Sequence, residues 1–456
     1  MDNVFPAGFV DRMRGLLGEE LDPFLRALAE PAVGLRVNTL RVSAEEFAAR
    51  RVLPVERLAF PAQGFAVQGD VRAGRHPYHA AGVYYLQDPG AMAVGALVEP
   101  QPGERVLDLS AAPGGKATHL AALMGNDGLL IANDPSRPRA QELAGNLERC
   151  GVMNAIVLSE RPERLATHFG AWFDRVLLDA PCSGESMFHK SSAAREGWSE
   201  AAVIGCARRQ GDLIATAAEM VRPGGVLVYS TCTFSREENE DVISAFLGRH
   251  PDFALDAMPA VPGADLVDTA GGGGGEGAYR LWPHRVTGAG HFVARFRRSE
   301  DADAAELRPW QPRASGEAAR LFRELTDRVY SEMPVDEGRL TLLGRELYAL
   351  PEDAPVLQGL SVVRPGLWCA TLEGRRLEPQ HALSMIPDAS PTAPVELTLH
   401  DVRVGQYLTG NTIEADGEPG WVPVHVDGFP LGWGKRVAGI VKNHYPKGLR
   451  WNTPKG

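Results

Sequence analysis

From about residue 100 the chain alternates between short continuous apolar runs and longer stretches of helical period. Unbroken apolar runs of about four to eight residues fit strands covered on both faces. Strands are predicted at 105–109, 129–133, 154–158, 173–178, 225–229 and 291–296. Helices are predicted at 116–124, closed by Gly125, at about 137–150, at about 200–221, and from Ser235 to about 247. Ser235 and Glu238 have the spacing of a capping box. Pro223-Gly224-Gly225 is read as the stop after the long helix. This alternation predicts a doubly wound, parallel α/β sheet.

The flanks follow other patterns. Helices are expected at 6–16 and 19–29, and strand-like runs at 33–40 and 84–86. Ser43 is placed to cap a helix beginning at Ala44, with Glu46 completing the box. Pro89 is suited to open a helix. Gly271 to Gly275 is a pure glycine run, read as a flexible surface loop. Residues 298–316 are polar and contain proline, as a linker would be, and a less regular segment continues to about 390. From Val395 the chain looks all-β. Four regions are expected: 1–95, 96–299, 300–390 and 391–456.

Composition narrows this only a little. A chain of 456 residues holds two to four domains, at roughly 150 residues each. Apolar content of 44% and charged content of 23% are those of a soluble protein. No apolar run reaches the ~20 residues of a membrane span. The N-terminus lacks a charged lead and a long apolar core, so the cytosol is the expected location. The five cysteines contain no C-x-x-C pair, which argues against structural zinc and a disulfide framework. No metal site is expected.

Two places carry candidate chemistry. The first is the turn Ser110-Ala111-Ala112-Pro113-Gly114-Gly115 ahead of Lys116, between a strand and a helix. Such a turn lets a ligand approach the backbone beside a helix N-terminus. It is not a P-loop, because Ser110 and Ala117 stand where Gly and Ser or Thr are required. Asp134, at the end of the second strand, is placed to bond a ribose diol. A nucleoside-bearing ligand without a triphosphate fits, with S-adenosyl-L-methionine the natural candidate; a plain tight turn is the alternative.

The second place is the pair Asp179-Ala180-Pro181-Cys182 and Tyr229-Ser230-Thr231-Cys232-Thr233, each following a predicted strand. Side chains just past strand carboxyl ends face the ligand crevice of an open α/β sheet. A thiolate adds readily to an electron-poor ring carbon. Addition at carbon 6 of cytosine makes carbon 5 nucleophilic. Asp179 is suited to assist at the Watson–Crick edge if it is protonated or shares a proton. A free cysteine taken alone is more often an inert buried residue. That reading suits Cys150, Cys206 and Cys369 better than this pair.

Ser-Ala-Ala-Pro-Gly-Gly-Lys at 110–116, Asp-Ala-Pro-Cys-Ser-Gly at 179–184 and Tyr-Ser-Thr-Cys-Thr at 229–233 together resemble the Nop/Sun family of RNA cytosine-5 methyltransferases. Arg36 to Leu40 and Gln87-Asp88-Pro89 resemble its N-terminal region. The resemblance implies a Rossmann-like class I methyltransferase sheet, flanked by a small α/β N-terminal domain and a β-rich, PUA-like C-terminal domain. It implies Cys232 as covalent nucleophile, Cys182 as the thiol assisting release and Asp179 as a base contact. It assigns Ser110 to Lys116, Asp134, Arg139 and Asp179 to an S-adenosyl-L-methionine site. One departure stands out: in Glu160-Arg161, Arg161 falls where the family has an Asp near the donor adenine, leaving Glu160 or a backbone group to substitute.

RNA contacts are expected from the last segment. Residues 431–456 hold Lys435, Arg436, Lys442, Lys447, Arg450 and Lys455 without any Asp or Glu, against a whole-chain charge of −11. Trp433, His444, Tyr445 and Trp451 are interleaved with them, and cations with aromatic faces suit RNA. Lys190, in Met187-Phe188-His189-Lys190, is a further RNA candidate; a solvated loop with Phe188 packed inward is the alternative. The PUA-like ending resembles bacterial small-subunit rRNA methyltransferases of the family. The expected partner is therefore 16S rRNA, free or in the assembled subunit, bound by a monomeric, membrane-free enzyme. The same chemistry on tRNA, amino methylation of a base, or a non-catalytic assembly role are the other readings.

Overall fold

The structure, a computed structural model, describes residues 5–267, 277–301 and 303–452. The glycine run at 271–275 and Lys455 lie outside the described residues. The apolar runs form the middle of a ten-stranded sheet. Seven of its strands build the site's platform: β1 (Arg105–Asp108), β2 (Leu129–Asn133), β3 (Ala155–Leu158), β4 (Phe173–Asp179), β5 (Val221–Thr231), β6 (Ala278–Leu281) and β7 (His291–Arg298). They lie in the order β3-β2-β1-β4-β5-β7-β6. β1 to β5 are parallel to their neighbours.

The sheet is mixed rather than parallel throughout. β7 runs antiparallel to β5, and β6 antiparallel to β7. The β6–β7 connection spans only 282–290. A parallel crossover needs about a dozen residues or more, so the last two strands cannot point the same way. Alternate strand residues go to opposite faces. Leu107 and Ile131 meet Leu165, Phe169, Ile214 and Phe246 on one side. Val106 and Leu130 meet Leu120, Leu143 and Leu147 on the other. The helices are α1 (Gly115–Leu123), α2 (Arg137–Arg149), α3 (Pro162–Phe169), α4 (Glu200–Glu219) and α5 (Glu240–Arg249). The two apolar faces thus explain the Rossmann-like doubly wound arrangement.

Two local expectations are corrected. Pro223-Gly224 does not precede β5 but lies within it, where the pairing with β4 shifts register. Three extra residues in β5 at this shift absorb the proline that a regular ladder excludes. Ser235 does not cap a helix. Its hydroxyl donates to Glu185 at 2.7 Å, and a short 3-10 turn separates it from α5. Ser43 does cap Ala44–Arg50, accepting from the Glu46 amide at 3.0 Å.

An antiparallel four-stranded sheet precedes the central one, in the order 55–57, 64–67, 34–37, 84–86. The segment read as irregular contains the helix Gly316–Thr326 and a four-stranded antiparallel sheet over 340–379. The last region is a five-stranded sheet that also carries the helix Val402–Leu408. Among the described residues no helix is long and apolar enough to cross a membrane.

Candidate active site

The chain runs β1, β2, β3 outward, then returns to place β4 against the other edge of β1. Ligands of open α/β sheets bind beyond the carboxyl ends at such a reversal. Asp108 ends β1, Asp134 follows β2, Asp179 ends β4, and Cys232 follows β5. The residues singled out by their spacing are therefore brought to one crevice.

The donor-side turn is held from three directions. The Ala111 amide donates to the Asn133 carbonyl at 2.7 Å. Arg139 donates to the Ala112 carbonyl and Asn146 to that of Pro113, both at 2.9 Å. Buried Arg36 donates to the Gly115 carbonyl at 3.1 Å and to Thr118 at 2.7 Å. Gly114 has φ of 117°, and a Cβ there would stand 3.2 Å from Leu143. Glycine fits because L side chains avoid that backbone region and because α2 comes close. Asp134 is 1% exposed, accepts from the Ser136 amide at 2.9 Å and lies 3.1 Å from Arg139.

Asp108 is the clearest residue missed in the sequence. It is fully buried, and neither carboxylate oxygen has a hydrogen-bond partner. Burial raises its pKa to about 7, against the pull of nearby Lys116. A buried, unpartnered carboxyl group at a strand end is a place for a cationic or hydrogen-bonding ligand.

The two sulfur atoms of Cys182 and Cys232 lie 3.2 Å apart. Hydrogen bonding to Cys182 holds Cys232 below the ordinary thiol range, with Lys116 adding to the effect against burial. The same bond, together with burial, pushes Cys182 well up. The pair thus favours the proton on Cys182 over Cys232. Beside them Lys116 Nζ meets Asp179 Oδ2 at 2.7 Å, and the Ser230 hydroxyl donates to Asp179 Oδ1 at 2.7 Å. Burial opposes charge on Asp179, but Lys116, His291 and Ser230 hold its carboxyl below the usual range. Asp179 is therefore an ionised partner of Lys116 here rather than a protonated acid. Cys150, Cys206 and Cys369 are buried elsewhere.

Each cysteine loop is fixed by a buried carboxylate. Glu238 accepts from the Ser183 amide at 2.9 Å, from the Ser183 hydroxyl, from Gln210 at 2.8 Å and from Thr233 at 3.2 Å. Ser183 follows Cys182 and Thr233 follows Cys232, so one side chain ties both loops. Glu185 accepts from the Phe234 amide at 2.7 Å and Trp198 at 3.0 Å. The helices Ala7–Leu17 and Leu21–Ala29 press on the same loops: Phe9 meets Phe188 and Phe24 meets Phe234, each pair at 5.0 Å and edge to face.

Comparison with known proteins identifies the family. Residues 95–297 match the family model described as 16S rRNA methyltransferase RsmB/F. Residues 5–89, 322–386 and 394–451 match the N-terminal domain, first C-terminal domain and PUA domain of RsmF. The ribosomal RNA small subunit methyltransferase F of Vibrio parahaemolyticus is 32% identical, over 98% of this chain and 98% of its own. That of Klebsiella pneumoniae is 34% identical, over 98% and 96%. The chain belongs to the RsmB/F family of 16S rRNA methyltransferases.

Solved structures share the fold. A methyltransferase homologue from Pyrococcus horikoshii is 31% identical, with a TM-score of 0.55 over 64% of this chain and 95% of its own. NSun6 from the same organism, solved with SFG, has a TM-score of 0.56 at 24% identity over 65% and 99%, which speaks to fold.

Other predicted residues of this RsmB/F chain fall less simply. Tyr445 is 3% exposed, its ring against Tyr407 at 5.5 Å and His381 at 5.8 Å, so it offers no open face to a base. Trp433 is buried likewise, its indole N–H donating to the Gln380 carbonyl at 2.9 Å. Lys442 and Lys447 are exposed, Lys435 is half-buried, and Arg436 is buried. Half-buried Arg450 donates to the Tyr445 carbonyl at 3.3 Å. Lys190 is exposed, while Phe188 is packed inward. Glu160 is engaged elsewhere: it accepts from the Ser361 amide at 2.7 Å and lies 3.5 Å from Arg164.

Glu238→Ala leaves the Ser183 amide without its acceptor and Gln210 with only the Pro181 carbonyl. A buried polar group left unpaired costs about 1–3 kcal/mol. The variant is expected to unfold earlier by roughly that amount and to lose methyl transfer by about tenfold or more. Thermal unfolding and initial rates, measured together, check this. Wild-type rates in Glu238→Ala would refute the coupling of the loops.

Proposed function

We propose that the protein methylates carbon 5 of a cytidine in 16S rRNA, with S-adenosyl-L-methionine as donor and a covalent adduct on Cys232. The observation that carries this reading is the sulfur pair at 3.2 Å with opposite pKa shifts, beside the Lys116–Asp179 ion pair. Family membership and the relatives' names support rRNA as substrate.

The residues present suit the donor. Asp108 offers two unpartnered buried oxygens for its ammonium group, and Asp134 a carboxylate for its ribose hydroxyls. The 110–116 turn leaves backbone open to it beside the start of α1. When bound, the donor supplies an electrophilic methyl group, which the activated carbon 5 takes.

Cys232 thiolate forms a bond to carbon 6, and the carbon 5–carbon 6 π pair moves into the ring. Lys116 donates toward ring nitrogen 3, while Asp179 accepts from the exocyclic amine. This donor–acceptor pair matches cytosine and opposes uracil, whose groups at those positions are reversed. After methylation a base takes the carbon 5 proton, the double bond re-forms and the sulfur–carbon bond breaks. The departing electron pair returns to Cys232, where the Cys182 S–H stabilises it. The direct test is incubation with labelled donor and 16S rRNA, followed by nucleoside analysis. Label in 5-methylcytidine is expected; label in an amino-methylated base would overturn the reading.

A pH effect follows from Asp108. Its carboxyl, at about 7 without ligand, must ionise to meet an ammonium group, so donor binding releases a proton. Donor affinity is expected to rise about tenfold between about pH 6 and about pH 8, then flatten. The sign for folding is opposite. In donor-free protein the stability from protonated Asp108 is full below the ordinary Asp range and is lost as pH rises through about 7. Calorimetry in buffers of different ionisation enthalpy measures the proton release. Affinity independent of pH would exclude Asp108 as the partner.

A further inference from the structure

A second cavity, of about 540 Å³, lies between the helix Gly316–Thr326, the turn before Arg376–Pro379 and the strands Gly420–Val426 and Phe429–Val437. Its volume is that of small-ligand sites. It shares no residue with the methyl-transfer crevice. Half-buried Trp421 lines it, with Lys435 Nζ 5.1 Å from the ring centroid and the His444 ring 4.4 Å away at a steep angle. Arg436 also lines it. That side chain is 6% exposed, its Nε is buried without a partner, and Nη1 donates to the Glu418 carbonyl at 3.3 Å.

Arg328, Arg375 and Arg376 bring three more guanidinium groups to the rim. Among the described residues none of the three has a side-chain hydrogen bond or ion pair. The lining carboxylates are Glu324, already held by Arg320, and Glu418. Five cations facing so little acid, in a chain of net charge −11, are arranged for an anion. Guanidinium groups match phosphate oxygens two at a time. An indole ring beside them gives a base a stacking surface. An acidic peptide would use the cations and leave Trp421 idle.

We propose that this cleft takes one unpaired nucleotide of RNA, with its phosphates on Arg375 and Arg376 and its base against Trp421. A base enclosed in a helical stack cannot enter, so the cleft selects single-stranded or bulged RNA. The site goes beyond the methyl-transfer reading, and its test contains no cytosine, so the two stand or fall separately.

The probe is a short single-stranded oligouridylate, used with the full-length protein. With 4-thiouridine in the probe, photo-cross-links mapped by mass spectrometry are expected at Trp421 or within 375–377 and 418–436. In anisotropy titrations Arg375→Glu/Arg376→Glu and Trp421→Ala are each expected to weaken binding about tenfold. The arginines sit at an exposed turn, so that variant keeps the fold. Trp421→Phe keeps a stacking face and is expected to bind nearly as wild type. Three results would overturn the proposal: cross-links confined to other segments, unchanged binding by Trp421→Ala, or an RNA duplex that competes as well as the single strand.

Discussion

Cys182→Ala protein, given substrate RNA and donor, accumulates a protein–RNA complex that survives denaturing electrophoresis. The expectation follows from which sulfur holds the proton. At 3.2 Å the Cys182 S–H stabilises a thiolate on Cys232, both before attack and as it departs. Hydrogen bonds to charged groups contribute about 1.5–3 kcal/mol. Without that bond, elimination from the methylated base slows by roughly 10- to 100-fold. Loss of the bond raises the free thiolate relative to the covalent adduct, so the intermediate collects. Cys182→Ala/Cys232→Ala protein is expected to show no complex. The pH–rate limb of the single variant moves to higher pH, because its thiolate forms less readily. A Cys182→Ala enzyme that turns over normally with no trapped species would sink the assignment.

The parts of this site readable in the sequence are those whose surroundings are local. An unbroken apolar run predicts a covered strand, and the residue after it must then reach the crevice. That logic locates Cys182, Cys232, Asp134 and the 110–116 turn. It fails for Asp108, which sits inside such a run and gives no sign that both its oxygens lack partners. It fails differently for Glu238. The Ser-x-x-Glu spacing reads as a capping box, but three donors from distant segments, together with the Thr233 hydroxyl, outcompete one local cap. The antiparallel β6 and β7 escape notice because strand direction depends on connection length, and four-residue β6 contains Arg280 rather than an unbroken apolar run.

The C-terminal aromatics show the same limit. Lysine and arginine interleaved with Trp433 and Tyr445 suggest an open RNA surface. Both rings are instead buried, Trp433 under the preceding region and Tyr445 against Tyr407 and His381. Trp421, outside the basic tail, is the half-buried ring beside the cations. Composition names the chemistry of a segment, and only packing decides which of its members face outward.

Cys232→Ser is expected to lower methyl transfer by about a thousandfold or more while leaving donor affinity unchanged. The substitution keeps shape and polarity, so a loss cannot be blamed on a cavity. What it removes is ionisation. The site holds the Cys232 thiol below its ordinary range through one sulfur hydrogen bond and a lysine, whereas a serine hydroxyl starts far too high for the same help to ionise it. The proposed donor contacts are Asp108, Asp134 and the 110–116 turn, none of which this change touches. Rates under single-turnover conditions, with donor binding by calorimetry, separate the two effects. Equal loss in both would mean that the fold of the loop had failed, which Glu238 and Glu185 are placed to prevent. Full activity in Cys232→Ser or Cys232→Ala, with the covalent complex now dependent on Cys182, would reverse the two roles. The opposite pKa shifts of the pair argue against that reversal, since a nucleophile must shed its proton at working pH and Cys182 is the sulfur that keeps it.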